Sequence, residues 1–382
     1  MNADTDNAYI TIQTTSELES FVSAIENEKA VGVDLEADSM YHFKEKVCLI
    51  QMATKSTNVV IDPLAIKDLS LLKPLFKSKN VCKIFHGADY DVRSLFRDFR
   101  ITIQNLFDTE LASRFLGYPE TSLEAVLKNK FNVVLNKKFQ RKDWSKRPLP
   151  QAMIAYAAAD AQYLLPLAES LKAELDEKNR LPWVYEECEQ LSKVRPAGSN
   201  NQPIYMNFRG AGKLDSRSLA VLDALLGFRQ RVARKKDKPL FRIFGNRSLM
   251  KLAGTKPLNL KQLEKTGALS AKQIAMYGRQ LVTAIQEAMN LPADKLPVYP
   301  RKKAPKVPLA VAGRVRALRN WRDEQVQKLA IDPALICTKA LISTIAVQRP
   351  LKISDLAAIK EMKNWQRKEF GKQIINVLKQ GP

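Results

Sequence analysis

Four carboxylates and one phenol stand out in this sequence for their types and spacing. Asp34 and Glu36 end the apolar run Val31-Gly32-Val33-Asp34-Leu35-Glu36, two residues apart. Side chains alternate along an extended strand, so these two carboxylates share one face. Held side by side, like charges repel unless a cation lies between them. Asp91 falls in Ile84-Phe85-His86-Gly87-Ala88-Asp89-Tyr90-Asp91, a predicted strand running into a helix. Ligand sites gather at such carboxyl ends of strands. Asp89 reads as the cap of that helix. Tyr156 and Asp160 lie four apart in the alanine-rich helix predicted over 151–166, one turn from each other on the same face. Asp34, Glu36, Asp91 and Asp160 with Tyr156 are a hard-oxygen set suited to two magnesium or manganese ions. Two such cations about 3.5–4 Å apart stabilise both the attacking and the leaving oxygen of an in-line phosphoryl displacement. Taken singly, each fragment has a plainer reading: a solvated strand edge, a helix cap, a core tyrosine beside a surface acid. A covalent alternative finds little support, since the only histidines are His42 and His86 and there is no GxSxG. There is no GxxxxGK[ST] loop either, which argues against a nucleotide-driven motor.

These residues need a scaffold, and the pattern supplies one. Residues 9–13, 30–35, 47–53, 58–61, 81–85 and 101–107 read as strands, with a helix capped by Thr15 or Ser16 whose apolar face is Leu18, Phe21, Val22 and Ile25, and another over about 89–99. Strands 47–53 and 58–61, joined without a helix, should pair antiparallel, whereas the later segments alternate strand and helix. A mixed sheet with helices follows, an α/β domain. From Ser122 onward the pattern reads helical.

The chain has 382 residues, 45% hydrophobic and 27% charged, a globular composition sized for two or three domains. Cys48, Cys82, Cys188 and Cys337 are far apart with no CxxC pair, which suits reduced thiols in a cytoplasmic protein. The acidic first ten residues do not resemble a leader, and no apolar run is long enough to span a membrane. The net charge of +22 is unevenly placed. Residues 1–200 carry 26 Lys and Arg against 28 Asp and Glu, a net of −2, so residues 201–382 carry +24. An excess on that scale points to a polyanion partner, and nucleic acid is the obvious one.

The basic half repeats itself at a spacing of 93 residues. Phe228-Arg229 matches Trp321-Arg322, Lys256-Pro257-Leu258 matches Arg349-Pro350-Leu351, and Gly278 matches Gly371. With the linker-like stretches 195–203 and 292–308, this divides the chain into a catalytic domain (1–192), a linker (193–211), a helical domain (212–291), a Pro-rich linker (292–308) and a second helical domain (309–382).

The motifs DLE (34–36), HGADYDV (86–92) and YAAAD (156–160) resemble the DEDD superfamily of 3′–5′ exonucleases, in its tyrosine branch. CLIQMAT (48–54), FDTELA (107–112) and WSKRPL (144–149) resemble the ribonuclease D family, and the duplicated module resembles the HRDC domain. The resemblance implies a ribonuclease H-like exonuclease domain followed by two all-α HRDC-like domains. It also implies metal-dependent release of 5′-mononucleotides from RNA 3′ ends, including transfer RNA precursors and other structured RNAs. Carried over, Asp34 would bridge two metals, Glu36 and Asp160 would hold the one that activates water, Asp91 would help place the other, and Tyr156 would orient the water.

Two groups of bases are candidate nucleic-acid contacts: Lys137, Lys138, Arg141 and Lys142 before Asp143-Trp144, and Arg229, Arg231, Arg234, Lys235 and Lys236 after Phe228. Sequence separates RNA from DNA poorly, because recognition of the 2′-hydroxyl rests on loop geometry. An exonuclease acting mainly on DNA, and a non-catalytic nucleic-acid-binding adaptor, are the competing readings. Cut after residue 200, the catalytic domain is expected to keep its chemistry on short single strands.

Overall fold

The computed structural model describes residues 9–196, 198, 202–300 and 308–380. The acidic N-terminal stretch (1–8), part of the first predicted linker and the basic cluster Arg301–Lys303 lie outside them. The chain packs as two compact units: Met1–Ala37 with Val47–Pro196 and Lys306–Pro382, and Asp38–Lys46 with Ala197–Pro305.

A six-stranded mixed sheet forms the centre of the first unit. Its strands are β1 (Ile10–Ile12), β2 (Ala30–Ala37), β3 (Val47–Ala53), β4 (Asn58–Ile61), β5 (Cys82–Phe85) and β6 (Leu106–Asp108), in the order β1-β4-β3-β2-β5-β6. Strands β2, β3 and β4 are antiparallel neighbours, while β1–β4, β2–β5 and β5–β6 run parallel. The helix Thr15–Ala24 starts one residue earlier than expected: Thr14 accepts from the Glu17 amide, and Glu17 accepts in return from the Thr14 amide at 2.9 Å. That reciprocal cap fixes the helix start. Residues 132–150 are not helical. Asn132 ends the helix Leu123–Phe131 in a left-handed conformation (φ 54°), and a loop runs from there to the helix Gln151–Gln162.

The two helical copies match element for element. Helices beginning at Ser216, Leu240, Asn246, Leu260 and Ala271 in the first have counterparts beginning at Leu309, Pro333, Lys339, Ile353 and Asn364 in the second, each 93 positions on. Lys256 and Arg349 end equivalent helices with φ of 48° and 47° just before a proline, which cannot continue a helix. A Cβ on Gly278 would lie 2.9 Å from Leu260 Cδ2, and one on Gly371 would lie 3.3 Å from Leu356 Cδ1, so both glycines let two helices close.

The two copies fall in different units, whereas the charge distribution suggested one basic pair. The second belongs to the sheet's unit. Trp183, on the helix Leu181–Leu191, stacks on Trp365 at 4.8 Å and 20°. Phe115 meets the same indole edge-on at 5.5 Å. Glu186 accepts from the amides of Asn364 and Trp365 at 2.6 and 2.8 Å, capping the helix Asn364–Gln380, where a carboxylate also suits the helix dipole. Buried Arg180 donates to Phe115 O at 2.8 Å and Leu329 O at 2.9 Å. In the other unit, the segment 38–46 rests on the first copy: Arg242 covers Tyr41 at 4.8 Å and Asp237 accepts from the Phe43 amide at 3.0 Å. Among the described residues no single helix is long and apolar enough to cross a membrane.

Candidate active site

Strand β2 delivers Asp34 and Glu36, and the helix Gln151–Gln162 lies over the same strands. Gly32 explains how close it comes: a Cβ there would sit 2.8 Å from Ala161 O and 3.1 Å from both Leu164 Cβ and Leu165 Cδ1. Ala157, Ala158 and Ala161 are buried on the helix side, and Asn58 Nδ2 donates to Ala158 O at 3.0 Å. This approach brings Tyr156 and Asp160 to the carboxylates of β2. The Tyr156 ring is held by Trp144, stacked at 6.1 Å, and by Phe139, edge-on at 5.8 Å. Both come from the loop before the helix. Arg147 secures that loop, donating to both oxygens of buried Asp62 at 2.6 and 2.7 Å, to Cys48 O at 2.8 Å and to Trp144 O at 2.7 Å.

Asp34, Glu36, Tyr156 and Asp160 line one cavity of about 520 Å³, together with His86, Glu110, Glu124, Asn136, Lys137 and Gln140. That volume lies in the range of small-ligand pockets, ~300–1,000 Å³. Asp91 is buried on the helix Asp89–Phe99 and does not line the cavity, but lies within electrostatic reach of Asp34 and Glu36. Asp89 is not the cap of its helix. Ala88 takes that place, and Asp89 pairs with Arg93 at 2.8 Å.

The electrostatics are those of acids crowded together out of water. Burial raises Asp34 to about 6. Burial and the charge of Asp34 raise Asp160 to about 8. Glu36 and Asp91 are pushed well above the ordinary carboxylate range by burial and then by neighbouring carboxylates. Burial, with the charges of Asp160, Glu36 and Asp34, raises the Tyr156 phenol, which hydrogen-bonds Asp160. The shifts of these four acids come chiefly from burial and from one another's charge. An all-oxygen, anionic donor set fits hard divalent cations. The side chains converge without standing at coordination spacing: among the described residues no three His, Cys, Asp or Glu form a ready ligand group.

A stability prediction follows from the upward shifts. A carboxylate whose folded pKa exceeds its unfolded value binds more protons when folded, so its contribution is present at low pH and lost as pH rises through the folded pKa. For Asp34 and Asp160 that window runs from about 4 to about 8. Melting temperature in EDTA should therefore fall between pH 5 and pH 9, and added magnesium should restore more of it at pH 8 than at pH 5.5. Equal magnesium effects at both pH values would contradict the coupling.

The candidate nucleic-acid residues divide. Lys137 lines the cavity and pairs with Glu124, and Lys138 lies 5.5 Å from the Phe139 ring centre. Arg141 and Lys142 sit at the exposed turn of the same loop. Arg229 is a correction: it is buried, donating to Phe244 O at 3.0 Å and Asn246 Oδ1 at 2.8 Å, so it ties the first helical copy together instead of facing a ligand. Arg231 and Lys235 share an open groove with Phe228 and Thr283. Arg234 covers Phe43 at 5.6 Å and Lys236 covers Tyr277 at 4.8 Å.

Sequence reasoning passed over His86, Glu110 and Glu124 on the cavity wall. The first two sit inside motifs already singled out, HGADYDV and FDTELA. Glu124 had no such signal, being one acid in an ordinary helix start.

The 3′–5′ exonuclease family matches residues 9–176, and the HRDC domain family matches residues 218–285 and 311–378. Among curated proteins, Protein RRP6-like 3 of Arabidopsis thaliana is 41% identical over 170 residues, covering 44% of this chain and 19% of that protein. Ribonuclease D of Jannaschia sp. (strain CCS1) is 32% identical over 296 residues, covering 75% of this chain and 76% of that protein. The chain spans 19%, 50% and 27% of the length of three RRP6-type relatives. The crystal structure of Escherichia coli RNase D, described as an exoribonuclease involved in structured RNA processing, superposes with a TM-score of 0.73 at 26% identity, covering 97% of this chain and 99% of that one.

Proposed function

The chain belongs to the ribonuclease D family of 3′–5′ exoribonucleases, and from that premise we propose that it shortens RNA from the 3′ end by divalent-metal-dependent hydrolysis. The reading is supported most by one observation: Asp34, Glu36, Tyr156 and Asp160, drawn from positions more than a hundred apart, open onto one cavity, with Asp91 buried within electrostatic reach of Asp34. Asp34, Glu36, Asp91 and Asp160 are the residues that would hold two ions, magnesium or manganese. When bound, the ions supply charge stabilisation for the attacking and leaving oxygens.

The chain's own residues have separate tasks in this reading. Tyr156 keeps its proton at working pH, because its pKa is raised, and its hydroxyl orients the attacking water beside Asp160. Trp144 and Phe139 keep the ring in place. The P–O3′ bond of the last linkage breaks and the terminal residue leaves as a 5′-mononucleotide. Lys137, Lys138, Arg141 and Lys142 meet the terminal phosphates, while Arg231, Arg234, Lys235 and Lys236 contribute to holding the RNA body. Transfer RNA precursors and other structured RNAs are the proposed substrates. Four buried free cysteines support a cytoplasmic setting. The division into an exonuclease domain (1–192) and HRDC-like domains (212–291 and 309–382) belongs to the same proposal.

The test is a 5′-labelled RNA with an unpaired 3′ end, incubated with the protein and magnesium beside a DNA of the same sequence. The expected result is a ladder shortening one residue at a time, faster on RNA and stopped by EDTA. Internal cleavage would contradict the reading, and faster loss of the DNA would move the assignment to a DNA exonuclease.

A further inference from the structure

We propose that Asp108, from the FDTELA segment, is a positioning residue of the metal site: it clasps the turn that delivers Asp91. This inference rests on the metal-dependent reading above. Asp108 ends β6 and caps the helix Thr109–Leu116, accepting from the amides of Glu110 and Leu111 at 2.9 and 3.1 Å. Its carboxylate also reaches the next strand end, accepting from the Gly87 amide at 3.0 Å and the Ala88 amide at 2.8 Å. Four backbone donors therefore converge on one buried side chain.

This arrangement explains a gap in the neighbouring helix. Asp89–Phe99 begins with Ala88 at its cap position, and no side chain of its own segment caps it. Unpaired amides at a buried helix start are costly. From β6, Asp108 pairs one of these amides, that of Ala88, together with the Gly87 amide just before it, and Asp91 lies only three residues beyond Ala88. The parallel ladder puts Phe85 opposite Asp108, so the clasp sits where β5 and β6 end together. One residue on, Thr109 Oγ1 donates to Phe85 O at 2.9 Å and lies 2.9 Å from His86 Nδ1, bracing the same turn. Gly87 allows the turn its shape: φ is 77°, and a Cβ would stand 2.7 Å from Glu110 Oε2. Glu110 faces the cavity, so the clasp fixes a wall residue on one helix and a candidate ligand on the other.

A residue that served only the fold would change stability and leave the affinity of the folded protein for metal alone. A residue that aims a ligand changes that affinity, and loss of such supporting contacts typically costs about 10–100-fold. In Asp108→Asn an NH₂ replaces one acceptor and opposes a backbone N–H. The experiment is calorimetric titration of the full chain with Mn²⁺ at 10 °C, well below melting. Asp108→Asn should bind Mn²⁺ about tenfold or more weakly and lose kcat, with KM for RNA little changed. Gly87→Ala disturbs the same turn with Asp108 intact and should weaken Mn²⁺ similarly; it carries the test if Asp108→Asn does not fold. Thr14→Ala removes a helix cap on a distant element and should lower the melting temperature without altering Mn²⁺ affinity. Wild-type affinity in either folded turn variant would overturn the proposal. A wild-type protein that takes up no Mn²⁺ would remove the metal-dependent reading itself.

Discussion

Replacing Asp34 by asparagine should lower kcat by about a thousandfold or more, some 4 kcal/mol of transition-state stabilisation, while making the metal-free protein more stable at pH 8. The two effects have one cause. Asp34 is the acid whose charge is felt by Glu36, Asp91, Tyr156 and Asp160 alike. Removing its charge relieves the repulsion that raises the others, so the folded protein holds fewer excess protons and tolerates high pH better. The same change replaces one carboxylate oxygen by an amide nitrogen and removes the negative charge that would hold a cation. A variant that was merely misfolded would lose activity and stability together. Single-turnover rates on RNA, with melting curves in EDTA, separate the cases. Activity within tenfold of wild type would contradict the role given to Asp34.

Ending the chain at Pro305 should lower the melting temperature of the remaining protein by about 10 °C or more. The sequence-based expectation for a chain cut after residue 200 concerned its chemistry on short single strands; the stability of such a chain rests on contacts with the second copy. Without the second helical copy, the stacked face of Trp183 and the edge of Phe115 lose Trp365, and Arg180 loses Leu329 O. Glu187, which accepts from Trp365 Nε1 at 2.9 Å and from Lys363, is left beside uncovered apolar surface. Truncating one buried Trp or Phe costs roughly 3–5 kcal/mol, and each kcal/mol is worth about 2–4 °C in a protein of this size. Wild-type melting in the truncated chain, measured by calorimetry, would mean that the aromatic contact holds nothing together.

The local parts of this account were legible in sequence, and the long-range parts were not. Alternation put Asp34 and Glu36 on one face, and the four-residue step put Tyr156 above Asp160, because both rules act within one element. The alanines of 155–161 announced a close approach, and Gly32 shows where it occurs. Arg229 was misjudged although a signal existed: it follows Leu225 and Leu226 by four and three residues, on the apolar face of its helix, whereas charge alone read it as surface. Asp89 was taken for a cap because capping is ordinarily local, yet it pairs with Arg93, and the carboxylate that holds the helix entry at the Ala88 amide is that of Asp108, twenty residues beyond Ala88. The general helical reading from Ser122 onward left only 137–144 as a loop; that the loop runs over 132–150 was not legible because its fastening is tertiary, through Arg147 to Asp62 and Cys48. Nothing in the sequence of Trp183 or Trp365 says that each is the other's partner.

Anomalous diffraction from crystals grown with Mn²⁺ tests the central claim most directly. The account predicts two manganese peaks in the cavity beneath Tyr156, bounded by oxygens of Asp34, Glu36, Asp91 and Asp160. Peaks elsewhere on the protein with none among these carboxylates would contradict it.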